Sequence, residues 1–475
     1  MSRSVRGAAW QPRLGRRRVA VGLAFAIGIS LLPRAAHAIA CSGRPTDAGG
    51  FGGYDYGADV VKTYDTPLVR VHYALTGKHA PTQASTRADG VPDTVTFAGD
   101  AGQDALTKYA QMGFLAPPAD TTCDSNGGDQ RLDIYLVAFA GADGTTTPEN
   151  CTGPVCGSFV LSESTFAGRG YANAQEGFKT VITHELFHTV QNAYDSQMDR
   201  FWAEGTAQWA MHTLHPELAD FDNQLPDFFA HPDHSLDALP SGAVAGYLYG
   251  SAVWPLFLTI TQGDGTVKAI LEKQAGGKAK STDAVNAVLM AKGSSVGQAF
   301  TLFTAWNAAT KSPLPLAGQG YPDAAKYPGV KKAALADGAS GITSGYSSYA
   351  YAGTLDTPTT ISLTTDATRN AGLLVPITAD GKADLAGAKA LPAMGSGQVL
   401  VVVSGITSKK TDGPFTLGYS SPTDGDAGPT AAGGNAKSGG CAVSSRSGGT
   451  DVGGFIGFAL VLLGLVPLLS RRRSA

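Results

Sequence analysis

The spacing of apolar residues divides the chain into a mixed beginning, a helical middle and a β-rich end. Over residues 41–170 the pattern predicts strands at "LVRVHYAL", "RLDIYLVAF" and "GSFVLSES", and an amphipathic helix at "AGDAGQDALTKYAQMGF". In the first run the residues alternate with a period of two, which is typical of a half-buried strand. The order strand, helix, strand, strand predicts an α/β subdomain.

Helical periodicity dominates residues 171–335. A first helix is predicted at "NAQEGFKTVITHELFHTVQNAYD", where Asn173 followed by Glu176 is typical of a helix start. A second helix should cover "RFWAEGTAQWAMHTL", and a loop rich in Pro, Asp and His is expected over residues 215–240. Three further helices are predicted at "GYLYGSAVWPLFLTITQ", "TDAVNAVLMAK" and "VGQAFTLFTAWNAAT".

The pattern changes again over residues 338–420, where short β-like runs alternate with turns. These runs are "SSYAYAG", "TTISLTT", "GLLVPIT", "GQVLVVVSG" and "FTLGYSS". The sequence therefore predicts an α+β protein. An N-terminal sheet with a site-bearing helix is followed by a helical subdomain, and a small all-β domain comes last.

Both ends of the chain carry features of export. Arginines precede the apolar run "VAVGLAFAIGISLL", and "PRAAHA" ends a small-residue cleavage pattern at Ala38, so residues 1–38 are predicted to be a signal peptide. A twin-arginine signal and a lipobox with Cys41 acylated are weaker alternatives. The apolar run is too short to span a bilayer comfortably.

The C-terminus combines a low-complexity linker (421–450), an apolar run (452–470) and a basic tail (471–475). Such a run followed by arginines is typical of a membrane anchor whose basic end is cytoplasmic. With Cys441 ahead of it, the arrangement resembles the myxobacterial sorting tail called MYXO-CTERM. That resemblance implies processing near the cysteine, with the protein left on the cell surface or released. A plain anchor would equally place residues 41–440 outside the cytoplasm.

Charge and cysteine content agree with an exported protein and exclude one class of partner. The 475 residues include 36 basic and 39 acidic ones, for a net charge of -3, so no basic field predicts nucleic-acid binding. Excluding Cys441, an even number of cysteines remains: Cys41, Cys123, Cys151 and Cys156. A Cys151–Cys156 bridge would leave Cys41 for Cys123, but spacing alone leaves the other pairings open.

The stretch "VITHELFHTV" carries the strongest candidate chemistry. His184 and His188 are four residues apart and should lie on one face of a helix, where two imidazoles can bind one zinc ion. Glu185 can then reach a water at the metal without binding the metal itself. Gln191 and Tyr194 replace the Gly and His of a metzincin, so that class is excluded. Histidines merely packed on a helix are the alternative.

A catalytic zinc needs a third protein ligand, and Glu204 in "FWAEGTAQWA" is the best candidate. A carboxylate on an apolar helix needs a partner, and a metal ion is a good one. Gln208, one turn later, could donate a hydrogen bond to a residue that binds the metal. A buried salt bridge between Glu204 and Arg200 is the alternative, and Asp195 and Asp199 are rival third ligands.

The two helices together resemble the gluzincin metallopeptidases, which bind zinc by HExxH and a downstream glutamate. His188 and Glu204 are nearer in sequence than in thermolysin or the gluzincin aminopeptidases, and the chain resembles better a group of secreted bacterial metalloproteases. The motifs that carry this resemblance are "DGVPD", "GDQRLDIYL", "HELFH" and "WAEGTAQW", over residues 60–310. It implies a zincin-like catalytic unit and a protein or peptide substrate. It also implies zinc on His184, His188 and Glu204, with Glu185 as general base.

The family also uses a Tyr or His to stabilise the oxyanion of the transition state. Tyr249 and Tyr247 are the best candidates for this role, and His234 or His231 are the second choice. An ordinary aromatic or surface role is the alternative for each of these residues.

Calcium is a further candidate cofactor. The turns at 88–93 and 124–133 cluster Asp and Asn oxygens, which calcium prefers, but neither has EF-hand spacing. Turn capping by aspartate is the favoured interpretation.

Two functions remain in competition. The leading hypothesis is an exported zinc metalloendopeptidase in which Glu185 takes a proton from the attacking water. The rival is a catalytically inactive surface adhesin that keeps the same fold. The presence of Glu185 favours the enzyme, since a binding protein has no need of a general base.

Overall fold

A computed structural model of the protein describes residue 41 and residues 43–238, 245–408 and 411–421. The predicted signal peptide, linker, anchor and basic tail lie outside these residues. Within them, no helix is both long enough and apolar enough to cross a membrane. The described part is a mixed α+β structure with a β-rich C-terminal region, as the sequence predicts at this coarse level.

A five-stranded sheet forms the first layer, and its strands are β1 (Val61–Asp65), β2 (Val69–Ala74), β3 (Leu132–Val137), β4 (Gly144–Thr152) and β5 (Val155–Glu163). The strand order is β1-β2-β3-β5-β4, with β2, β3 and β5 parallel and the two outer strands antiparallel. The three predicted strands are confirmed. β4 was not predicted, because "GTTTPENCT" is polar and contains Pro148, as befits an edge strand.

Helices α1 (Asp93–Gln111) and α2 (Ala174–Asn192) pack on one face of this sheet and on each other. The Asn173 side chain caps α2 by accepting a bond from Glu176 N–H at 2.9 Å, as predicted. On the other sheet face, Tyr56 packs with a separate apolar cluster that includes Tyr135 and Phe159. The disulfides are Cys41–Cys123 and Cys151–Cys156, which confirms that the described cysteines are bridged.

The helical middle contains α3 (Arg200–Leu214), α4 (Asp220–Ala230), α5 (Ala245–Gly250), α6 (Val253–Gln262), α7 (Thr266–Gln274), α8 (Ser281–Ala291) and α9 (Val296–Ala308). α3 has the bounds that its apolar spacing predicts. The prediction of a loop over residues 215–240 was wrong, since α4 lies within it. Its buried residues recur at helical spacing (Phe221, Leu225, Phe228 and Phe229), and this apolar face holds the helix despite Pro226.

The single helix predicted at residues 246–262 is divided into α5 and α6. Pro255 explains the division, because it has no N–H to reach the carbonyl of Ser251 one turn earlier. That carbonyl instead accepts a hydrogen bond from the N–H of Trp254, only three residues later, at 2.9 Å.

The C-terminal region is a seven-stranded sheet with α9 against one face, and a parallel pair lies beside it. Its strands are β7 (Ala333–Ala334), β8 (Ser340–Ser344), β9 (Ser348–Thr365), β10 (Asn370–Pro376), β12 (Lys389–Ala390), β13 (Ala393–Gly405) and β14 (Asp412–Ser420). The pair is β6 (Leu314–Pro315) with β11 (Lys382–Ala383). Two predicted strands, "SSYAYAG" and "TTISLTT", are one continuous strand, β9.

All of the described residues belong to one compact unit. One apolar core runs through its three regions, from Val69 in the first sheet through Trp209 in α3 to Leu400 in β13. This shared core holds the helices α2 and α3 rigidly against the first sheet, where the candidate chemistry lies.

Candidate metal centre

Helix α2 positions the first three candidate residues. His184 and His188 lie one turn apart on the side of α2 that packs against α3, and both side chains are mostly buried. Glu185 follows His184 and is turned toward β4. The apolar residues of α2, including Ile182, Leu186 and Phe187, are fully buried. Burial of this kind fixes the helix and therefore the direction of each polar side chain.

Helix α3 brings Glu204 to the two histidines. Its neighbour Gly205 packs so closely on the turn between α5 and α6 that a Cβ there would lie 2.7 Å from the Ser251 hydroxyl. This contact holds α3 in place, and the adjacent position presents Glu204, whose side chain is 14% exposed.

Three ligand atoms form a nearly equilateral triangle. The Nε2 atoms of His184 and His188 are 3.2 Å apart, and Glu204 Oε2 lies 3.3 Å from the first and 3.4 Å from the second. A tetrahedral zinc ion with bonds of about 2.0–2.1 Å holds its ligand atoms about 3.3–3.4 Å apart. The three residues therefore fit one ion of that size without rearrangement.

Hydrogen bonds to the Nδ1 atoms of the two histidines fix their tautomers. Gln208 donates through Nε2 to Asp220 Oδ2 at 2.6 Å, which leaves its Oε1 facing His184 Nδ1 at 3.1 Å. Gln191 donates to the carbonyl of Ala203, so its Oε1 faces His188 Nδ1 at 2.7 Å. An amide oxygen only accepts, so each Nδ1 must carry a proton. In the neutral imidazoles both Nε2 lone pairs then point at Glu204, which is how metal-binding histidines are commonly held.

The electrostatics of the triangle couple His188 to Glu204. Burial alone lowers the pKa of His188, but Glu204 outweighs it and raises that pKa to about 9. Burial in turn raises the pKa of Glu204, yet the two histidines hold it well below its usual range. Arg200 is exposed, and the ion pairs that the described structure gives Glu204 are with the histidines. A shared proton therefore balances the carboxylate.

Glu185 has a partner of its own in β4. The Thr146 hydroxyl lies 2.8 Å from Glu185 Oε2 and 2.7 Å from the Glu185 backbone oxygen, either of which accepts its proton. This contact depends on Gly144, because a Cβ there would lie 2.6 Å from Val181 and 3.0 Å from Glu185 Cγ. The edge strand thus runs directly over the start of the HExxH turn and holds the glutamate.

The structure separates the two tyrosine candidates. The Tyr249 ring lies 5.7 Å from the His184 ring, and burial, with Glu204 and Glu185 nearby, raises the pKa of Tyr249 well above its usual value. Its hydroxyl is therefore a proton donor at neutral pH. Tyr247 is buried, and its hydroxyl donates to the backbone oxygen of His234 at 3.0 Å. His231 and His234 stack on each other near Tyr247, and neither joins the triangle.

The rival ligands are engaged elsewhere. Asp195 accepts a bond from Gln197 N–H at 2.8 Å, and Asp199 accepts one from Ser281 N–H at 3.0 Å. Among the described residues, neither belongs to a group that could bind a metal with His184 and His188.

The aspartates of the two candidate calcium turns contact arginines and backbone or hydroxyl groups. Asp89 pairs with Arg87, Asp129 with Arg131, and Asp93 accepts from Thr86. These contacts are those of turn capping, and calcium binding there stays a prediction.

Three residues of the site were not assigned a role from the sequence. The role of Gln191 could have been predicted, because it lies one turn after His188 on the same helix. Thr146 and Asp220 gave no signal. Each comes from an element that the pattern did not predict, namely β4 and α4.

A scan against models of protein families finds no match for this chain, and a search of curated proteins finds no significant relative.

Proposed function

We propose that this chain is an exported zinc metalloendopeptidase with a zincin-like catalytic unit. The observation that carries the proposal is the triangle of His184, His188 and Glu204, whose atoms are 3.2–3.4 Å apart. The gluzincin-like motifs of the sequence and the orientation of both Nε2 lone pairs support the same conclusion. The two disulfides support export, since such bridges persist in oxidising compartments.

Zinc is the ion that this donor set suits, because two imidazoles and one carboxylate leave a fourth position open. When bound, zinc acts as a Lewis acid that makes a water acidic enough to ionise near neutral pH. Gln191 and Gln208 keep the histidine lone pairs directed inward and so prepare the ligands for the ion.

Glu185 is the general base of the proposed reaction. It is next to His184 in sequence but turned toward β4, so it does not compete for the metal. In this role it takes a proton from the attacking water and passes it to the leaving amine. Thr146 holds one carboxylate oxygen and leaves the other available for that proton.

The edge strand β4 explains why the substrate should be a peptide. β4 pairs with β5 on one side and ends the sheet on the other, directly above α2. An edge strand offers a row of backbone donors and acceptors to which an extended peptide can add. A peptide bound there would pass Glu185. The Tyr249 hydroxyl, whose ring lies 5.7 Å from that of His184, would donate to the oxyanion.

The decisive test is metal content together with peptide hydrolysis. We expect close to one firmly bound zinc at the triangle, which His184→Ala or His188→Ala removes together with the hydrolysis of casein. Glu185→Gln keeps the size of the side chain but removes the base. It should retain zinc and lose about 10²–10⁴-fold in kcat.

The same measurements separate the two functions in competition. Zinc at the triangle with no hydrolysis of casein or of short peptides by the wild-type protein would favour the binding protein. Equal hydrolysis by Glu185→Gln and wild type would show that Glu185 is not the base. Cleavage only from a peptide terminus would replace the endopeptidase with an exopeptidase.

A further inference from the structure

A second group of metal-binding side chains lies outside the centre described above. His231, Asp233 and His234 each offer one ligand atom, and these atoms all lie within 4.8 Å of one another. The two imidazole rings stack with centroids 4.8 Å apart and planes 17° from parallel. Asp233 is exposed and both histidines are half-buried, so the group is open to solvent on one side.

The backbone builds this group in a single turn, residues 231–234, which we call the His231 turn. His231 ends α4, and its N–H donates to the carbonyl of Phe228 at 3.2 Å. Three residues later the chain folds back, and His234 N–H donates to the carbonyl of His231 at 3.1 Å. This bond brings the two rings side by side.

The His231 turn is fixed to the C-terminal sheet. Ser348 N–H donates to the carbonyl of Pro232 at 2.7 Å, and Leu236 N–H donates to the carbonyl of Tyr346 at 2.9 Å. Tyr346 N–H donates to the Ser235 hydroxyl at 3.0 Å. The ligands are therefore carried by a backbone that is already ordered, and only side-chain rotation is needed to close them on an ion.

The ligand chemistry points to a transition ion. Nδ1 of His234 is buried and has no hydrogen-bond partner among the described residues, an arrangement that a metal bond would relieve. Two imidazoles and a carboxylate suit Zn²⁺, Cu²⁺ or Ni²⁺, whereas Ca²⁺ and Mg²⁺ prefer oxygen ligands alone. We propose that His231, Asp233 and His234 bind a second divalent transition ion, with zinc as the probe of choice.

This second ion would tie α4 and α5 to the C-terminal sheet. The Tyr247 hydroxyl donates to the carbonyl of His234, and Tyr247 and Tyr249 belong to the same short helix, α5. Because Tyr249 faces His184, a fixed His231 turn also steadies one wall of the first centre. The second site is structural in this proposal and takes no part in the reaction.

Zinc content of the full chain tests the proposal directly. After zinc loading and gel filtration, we expect about two ions per chain in the wild type. His231→Gln with His234→Gln should leave about one, and His184→Ala with His188→Ala should also leave about one. The combination of all four should leave none. His212→Gln, a histidine outside both groups, is the matched control and should keep two.

A second measurement guards against loss of metal through misfolding. In the His184→Ala, His188→Ala background, zinc should raise the melting temperature, and the exposed change Asp233→Asn should reduce that shift. The proposal is overturned if the His231 and His234 changes leave zinc content and this shift unaltered. If instead His184, His188 and Glu204 bind no zinc, the result is different: the His184→Ala, His188→Ala variant would keep the zinc content of the wild type.

Discussion

Arg44 and Glu204 are both largely buried charged residues, and each is surrounded by ionisable side chains that can carry the opposite charge. Arg44 is fully buried, and its Nη2 pairs with Asp120 and Glu149. Its Nη1 lies 2.5 Å from Asp133, which also accepts a bond from His72 at 2.7 Å. Three carboxylates thus share one guanidinium.

Glu204 has two histidines in the place of Arg44. A guanidinium is charged at every pH a protein meets, so the Arg44 cluster holds its cation permanently. An imidazole is charged only when it is protonated. The positive charge beside Glu204 is a proton on His188, whose pKa the carboxylate raises to about 9.

The difference shows which cluster is structural and which can accept a ligand. The chain completes the Arg44 cluster by itself, with a side chain that cannot leave. The triangle is balanced by a proton, which a zinc ion can displace because metal binding requires deprotonated ligands. Several carboxylates around a permanently charged arginine, as at Arg44, therefore indicate a structural cluster. Histidines that can lose their proton beside one carboxylate, as at Glu204, indicate a site that can exchange the proton for a metal ion.

Removal of Arg44 should give the largest change in stability. Arg44→Met leaves Asp120, Asp133 and Glu149 without their common cation, and loss of one partner from a buried pair costs about 3–5 kcal/mol. The free energy of unfolding in urea measures the effect. The loss should be the same with zinc and with a chelator, since the triangle does not depend on this cluster.

Arg87→Met is the matched control for this change. Arg87 also pairs with an aspartate, but its side chain is 44% exposed and solvent screens the pair, so its loss should cost far less than the loss of Arg44. Equal effects of the two substitutions would mean that the buried carboxylates are protonated and that Arg44 neutralises little.

Glu204→Gln should have an intermediate effect on the zinc-free protein and abolish zinc binding at the triangle. Losing charge-assisted bonds to both histidines costs about 1.5–3 kcal/mol. The raised pKa of His188 sets the pH dependence. Its stabilisation is complete below the ordinary value of 6.5 and disappears as the pH rises through about 9. In chelator, the two melting temperatures should therefore converge above that pH.

Asp195→Asn and Asp199→Asn are the controls for Glu204, since both residues are acidic neighbours outside the triangle. Both variants should keep zinc at the triangle. If Asp195→Asn loses that zinc and Glu204→Gln keeps it, the third ligand is Asp195 and the resemblance to gluzincins is wrong.

The same contrast explains how far the sequence could predict this molecule. His184 and His188 were predictable because helical spacing alone places them together, and Glu204 because a lone carboxylate in an apolar helix needs a partner. The Arg44 cluster was not, since its carboxylates come from positions 76 to 105 residues away and only the folded sheet unites them. Thr146 and Asp220 were missed for the same reason. β4 is a polar edge strand with a weak local pattern. α4 has helical apolar spacing, but Pro226 and the polar composition around it favoured a loop.

The smallest expected effect concerns Thr146, which links the edge strand to the general base. Thr146→Val keeps the shape and removes the hydroxyl that lies 2.8 Å from Glu185 Oε2. Loss of one such bond is worth about 0.5–1.5 kcal/mol, so kcat for a peptide should fall about 2- to 10-fold with unchanged zinc content and KM. Thr145→Val, one residue earlier on the opposite side of β4, should leave kcat unaltered. In the Glu185→Gln background, Thr146→Val should cause no further loss, because the hydroxyl acts through the carboxylate that is already gone. A full additional loss in that background would assign Thr146 to the substrate instead of to Glu185.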